Sequence, residues 1–244
     1  MAPLSFPPEP ARLYRFGGPA LAALGVAAIA LIVLPPAAAE SPLAWWIVNS
    51  ALTPERLLPL LGLGVALALT GPRIALAALL LFCIGIVFGF VAHKELLEPL
   101  TKMPQAATHH FLTGPIASIA VGLALIPPAR WRAAVLPLLA FIAGCMLALA
   151  IVVTDPSLDD PTNRIAGVTI GLWVVVVVML TLRAFHRPWF AVFSRILGSW
   201  LIAIGLLYGG VALMPRKAPP PPPPIPDLNP LPDFDRSRPQ TLPQ

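Results

Sequence analysis

The feature that most constrains this chain is where its charges are missing. Between about residue 17 and residue 214 the sequence runs through long stretches without Asp, Glu, Lys or Arg, and several exceed the ~18 residues that mark a membrane-crossing helix. The chain is 57% apolar and 11% charged, against roughly a quarter charged in a soluble domain, so water cannot be its main solvent. The expected fold is all-α, a polytopic transmembrane helix bundle.

Residues 1–40 read as a signal peptide or a first transmembrane helix. Arg12 and Arg15 precede an apolar run at 17–34, then come Pro35 and Pro36 and a small-residue site at Ala37 and Ala39, the order of a secretory signal; an uncleaved first span has the same composition. Six further spans are expected at about 57–71, 74–92, 111–127, 133–154, 165–183 and 196–214, making residues 41–214 the bundle. Trp45 and Trp46 fit an interfacial aromatic belt. Gly71-Pro72-Arg73 leaves room only for a tight antiparallel turn between the first two of these spans.

Orientation follows from the arginines. With the N-terminus inside, the inner loops collect Arg12, Arg15, Arg73, Arg130, Arg132, Arg183, Arg187 and Arg195 against Glu9 alone, whereas the outer loops hold most of the acidic residues. Arginine-rich short loops belong in the cytoplasm, which predicts a bacterial inner membrane with the C-terminal tail outside it. The basic residues stand singly or in pairs at span ends, so the net charge of +5 sets orientation and predicts no nucleic-acid partner. The tail, 215–244, contains an unbroken proline run at 219–224 that adopts polyproline II and has no apolar face to bury. It is read as a disordered spacer or a ligand for a protein partner with a proline-reading groove.

The proposed span interiors contain no ionisable side chain of the kind that ion-coupled transport keeps at membrane depth. Small residues recur instead at Gly85 and Gly89, at Gly205 and Gly209, and at Gly114, Ser118 and Gly122, a spacing that serves packing within the bundle or homo-oligomer contacts. Pro59, Pro115 and Pro137 fall in or near spans and can kink them. Cys83 and Cys145 read as buried thiols. Polar chemistry collects in outer loops. His93, His109, His110, Asp159 and Asp160 are the candidate metal ligands, since imidazole and carboxylate suit nickel, cobalt or zinc; solvated loop residues without a metal give the same pattern. No HExxH, GxSxG, Walker A, GxGxxG or CxxC arrangement occurs, so the chain is not expected to be an enzyme.

Two segments, LLPLLGLGVALALTGPRIALAALLLFCIGIVFG at 57–89 and RILGSWLIAIGLLYGG at 195–210, carry a resemblance. Together with the order of signal, six spans and short loops, they make the chain similar to the HupE/UreJ family of hydrogenase and urease accessory membrane proteins. That resemblance implies a permease for a metal ion, with nickel or cobalt as the transported ion, or for another small solute. Family members proposed to carry metal show a histidine and then an Asp-His pair at the first mature span, with a histidine-rich stretch in a later one. The corresponding places here hold Asn49, Glu55 and Arg56, then Gly144, Cys145 and Met146. The alternative expectation is a non-transporting accessory or scaffold protein that binds partner proteins through its small-residue faces and its tail.

Overall fold

The structure is a computed structural model that describes residues 12–35, 41–101, 110–155, 161–185 and 189–213. Every regular element among them is helical: α1 (Arg12–Val33), α2 (Pro42–Trp46) running into a π-helical turn (Ile47–Ala51), α3 (Pro54–Ala68), α4 (Pro72–Val91), α5 (His93–Thr101), α6 (His110–Leu125), α7 (Ala129–Thr154), α8 (Pro161–Ala184) and α9 (Phe190–Leu213). Five of these helices are long and apolar enough to cross a bilayer, six if the pair Pro42–Ala51 and Pro54–Ala68, bent by 65°, counts as one broken span. The chain is an all-α polytopic bundle. Its exterior fits lipid: on α4 the residues Leu76, Leu80, Ile84, Val87 and Val91 are all exposed and line up at helical spacing, a stripe too apolar to face water.

Prolines and glycines punctuate the helices. Pro42, Pro54 and Pro72 open α2, α3 and α4, where a missing N–H costs nothing. Pro59, Pro115 and Pro137 lie inside α3, α6 and α7. The turn at Gly71 is as short as expected, yet its two helices part company: α4 packs chiefly on α7, while α3 lies against α8 and α6. Backbone contact explains the preference. A Cβ at Gly85 would collide with the Phe141 carbonyl oxygen, and one at Gly144 with the Phe82 carbonyl oxygen, so only glycine at both places lets α4 and α7 approach this closely. Gly122 and Gly198 play the same reciprocal part between α6 and α9. Gly89 abuts Cys145, and Gly205 abuts Pro115 and Ile119, so the small-residue stripes are used inside the chain. Cys83 and Cys145 are free thiols.

Helix ends differ from the sequence expectation where a charge was taken to end a span. α7 begins at Ala129 rather than 133 and α9 at Phe190 rather than 196, because a helix continues through the interfacial zone beyond the hydrocarbon. Residues 93–101, expected as loop, form α5, with Leu96 and Leu97 half-buried and Lys94, Glu95 and Glu98 exposed. Trp45 is exposed as a belt residue should be, but Trp46 is wholly buried; the turn from α2 into the π-helix carries adjacent side chains to different sides. Residues 36–40, which include the expected cleavage site, and the proline-rich tail lie outside the described residues; α1 itself is a 22-residue helix that packs on α8.

Two helices are short. α3 has 15 residues and α6 has 16, about 22–24 Å of rise against a hydrocarbon thickness of about 30 Å. Helices this short do not span the full height of the bundle; the end at which both finish is called here the hairpin end, after the Gly71 turn. The opposite end, at which both start, is called the mouth.

Candidate functional site

Helix C-termini leave carbonyls without intrahelical donors, and at the hairpin end arginines from longer neighbours supply them. Arg132 of α7 donates from Nε to the Ala124 carbonyl (3.2 Å) and from Nη2 to the carbonyls of Leu125 (2.8 Å) and Pro127 (3.2 Å) and to Ser194 Oγ (3.3 Å). It is 6% exposed, a cation held at the negative end of the α6 dipole. Arg183 of α8 does the same for α3, with Nη2 donating to the Leu67 and Thr70 carbonyls at 3.1 and 3.2 Å. The core between is closed by Leu63, Leu67, Phe82, Val121, Leu125, Leu136 and Ala140, all with almost no exposure.

The mouth end is open. Between the π-helical turn, the first turns of α3 and α6 and the last turn of α7 lies a cavity of about 190 Å³, lined by Asn49, Ser50, Thr53, Glu55, Arg56, Thr113, Gly114, Ala150 and Thr154. A narrow extension of about 20 Å³ continues inward past Pro59, Leu60, Ala117, Ala143, Met146 and Leu147, room for about one water. The two short helices create this space, since neither fills the full height of the bundle. A π-helical turn beside a cavity is itself unusual, such turns being concentrated at functional sites.

Arg56 governs the chemistry of the cavity. Its Nη2 donates to the Ala150 carbonyl at 2.6 Å and to Thr154 Oγ1, and its guanidinium lies 5.6 Å from the centre of the Trp46 ring. Trp46 is fixed in turn by its Nε1–H, which donates to the Thr154 carbonyl at 3.2 Å. Arg56 is only 9% exposed, and no carboxylate pairs with it among the described residues. A buried cation normally has a counter-charge; here neutral acceptors reach one nitrogen, Glu55 acts on the cation from nearby without a salt bridge among the described residues, and both side chains line the cavity. Ser50 lines the same space. It is 7% exposed, and its Oγ has no hydrogen-bond partner. Beside the cavity, Asn163 Nδ2 donates to Asp155 Oδ1 at 2.8 Å, tying α8 to the end of α7.

Of the residues singled out as metal ligands, His93 hydrogen-bonds through Nδ1 to the Phe90 carbonyl at 2.8 Å. His109, Asp159 and Asp160 lie outside the described residues, as does the side chain of His110, which opens α6. Among the described residues no three His, Cys, Asp or Glu side chains gather. The structure instead brings Asn49, Ser50, Thr53 and Arg56 together with Thr113 and Thr154 from helices far along the chain, a grouping that the sequence showed only for Asn49 and Arg56, through the family resemblance. The polar cluster at 49–56, set between two apolar runs, was the available signal. Arg56 was assigned to the outer loop; the structure places it in the first turn of α3, because Pro54 starts that helix earlier than the apolar run does. Comparison with protein-family models, with curated proteins and with solved structures finds no match to this chain.

Proposed function

We propose that this multi-pass membrane protein is a divergent, HupE/UreJ-like permease that receives a small polar solute through the mouth-end cavity and performs no covalent chemistry on it. The observation that carries this reading is the cavity itself: a polar vestibule that opens at one end and is closed toward the other by a packed core and two arginine-capped helix ends. A bent, broken span at the vestibule supports it, because transporters place their sites where helices are interrupted. The arginine asymmetry puts the hairpin end in the cytoplasm of a bacterial inner membrane and the mouth outside. Asn49, Glu55 and Arg56, the positions at which the resembling family would place metal ligands, line this vestibule. A guanidinium stands among them, which favours a solute other than a metal cation.

The test is labelling and flux. In a Cys83→Ala, Cys145→Ala background, Thr113→Cys reacts with a membrane-impermeant thiol reagent added outside intact cells, and proteoliposomes take up a small labelled solute that Gly114→Trp blocks. No labelling and no uptake from a broad solute panel sinks the reading. A second reading, a non-transporting accessory protein, is favoured by α1, whose apolar window is only 6% buried and offers Leu24, Val26 and Leu31 to a partner or to lipid. Its signature is a copurifying protein lost when α1 is replaced by an unrelated apolar helix.

A further inference from the structure

Two groups at the vestibule lack what they are built to bind, and they border the same space. The Arg56 guanidinium, barely exposed, has no carboxylate in salt-bridge contact among the described residues, Glu55 acting on it only at longer range, and its hydrogen bonds to those residues all run through Nη2. The Ser50 hydroxyl, buried to a similar degree, has no hydrogen-bond partner among the described residues. Leaving such groups unsatisfied is costly, and a ligand that accepts hydrogen bonds from both removes the cost. The ligand's contacting atoms must therefore be acceptors, and a negative charge on them suits a buried guanidinium that lacks a salt-bridge partner among the described residues.

Building on the vestibule reading, we propose that the solute bound there is a short-chain monocarboxylate. Its carboxylate accepts from the remaining N–H groups of Arg56 and from Ser50 Oγ, and its carbon chain points to the extension lined by Leu60, Ala117 and Leu147. A guanidinium is planar and presents paired donors that match the two oxygens of a carboxylate. Trp46 holds that plane in place through the ring contact and its own bond to Thr154. The size fits: a cavity of about 150 Å³ accommodates a six-carbon ring, so 190 Å³ takes an acid of about three to five carbons with some water. The deeper wall is apolar, being made of Pro59, Leu60, Ala117, Ala143, Met146 and Leu147, and suits a hydrocarbon tail rather than a second charge. Glu55 also lines the space, so its negative charge opposes a dianion such as a dicarboxylate more strongly than a monocarboxylate.

The decisive experiment is titration calorimetry on the full-length protein in detergent, at fixed ionic strength, with propionate, butyrate, succinate, inorganic phosphate and alanine as probes. The expected result is saturable binding of propionate or butyrate, with succinate and phosphate weaker by about tenfold or more. Arg56→Gln abolishes it, and Ser50→Ala weakens it several-fold. Ser50→Ala removes a hydroxyl that bonds to nothing among the described residues, so it keeps the test informative should Arg56→Gln not fold. The proposal is overturned by absence of monocarboxylate binding to folded protein or by binding that Ser50→Ala leaves unchanged. Tighter phosphate binding, which assigns the site to free phosphate or a lipid headgroup, overturns it too, as does tighter alanine binding, which assigns it to a zwitterion. Binding and flux fail separately. Carboxylate binding without uptake by proteoliposomes refutes the permease reading and keeps the ligand; uptake of another solute without carboxylate binding does the reverse.

Discussion

The bundle buries arginines at both ends, and the two ends use them differently. At the hairpin end Arg132 distributes its donors over three carbonyls and a hydroxyl, all belonging to the end of α6 or to α9 beside it. At the mouth Arg56 is buried almost as well, yet its two acceptors both meet one nitrogen, and the side chain borders a cavity. Depth alone thus does not separate a structural cation from one available to a ligand. The useful measure is the acceptor count: a guanidinium has five N–H donors, and those the protein leaves unused are what a solute can engage.

That contrast can be broken by removing the cations one at a time and measuring unfolding by titration with a denaturing detergent. The largest effect is expected for Arg132→Met. It strips the donors from three carbonyls at a buried helix end, each orphaned group costing about 1–3 kcal/mol, so a loss of about 3 kcal/mol or more is expected, with solute binding intact in whatever folds. Arg183→Met uncovers the Thr70 carbonyl, whereas the Leu67 carbonyl keeps the Thr70 hydroxyl and N–H as donors, and is expected to cost about 1 kcal/mol. A change smaller than the error of the measurement in both variants would remove the capping role from the hairpin end.

Arg56→Met is expected to cost less, about 1 kcal/mol or below. The reason is specific: the Thr154 hydroxyl already donates to the Ala150 carbonyl at 2.7 Å, so deleting Arg56 leaves neither acceptor orphaned, and it relieves the burial of an unpaired charge. What this variant is expected to lose is the carboxylate binding proposed above. If it proves as destabilising as Arg132→Met, the two ends are alike and Arg56 is structural.

The sequence made the helices legible and the site largely illegible, for one physical reason. A span is a local property: a charge-free run of sufficient length must be a helix in lipid, and α4, α7 and α8 follow directly from theirs. The vestibule is non-local. Thr154 meets Arg56 and Trp46 only because α7 lies beside α3, and nothing along the chain states that adjacency. Treating charged residues as the ends of spans also misplaced Arg56, Arg130 and Arg132 in loops. The shortness of α3 and α6 was readable in part, since residues 57–71 and 111–127 are the shortest of the expected spans, but its meaning appears only when the two stand side by side.

Ser50 gives the smallest effect on stability and the sharpest reading of the contrast. Its hydroxyl is buried without a partner, so Ser50→Ala removes a desolvated polar group that contributes no hydrogen bond, and the folded state is expected to be unchanged or more stable by up to about 1 kcal/mol. Ser194 at the hairpin end is the matched control. It too is buried, more completely than Ser50, but it accepts from Arg132 and donates to the Ala191 carbonyl at 3.0 Å, and Ser194→Ala should therefore destabilise, by about 1 kcal/mol. Opposite signs for the same chemical change would show that the mouth keeps an unmet hydrogen bond at the expense of its own stability, as a site held ready for a ligand does. Equal losses would mean that Ser50 has a partner in solution, and with it would go the distinction between the two ends.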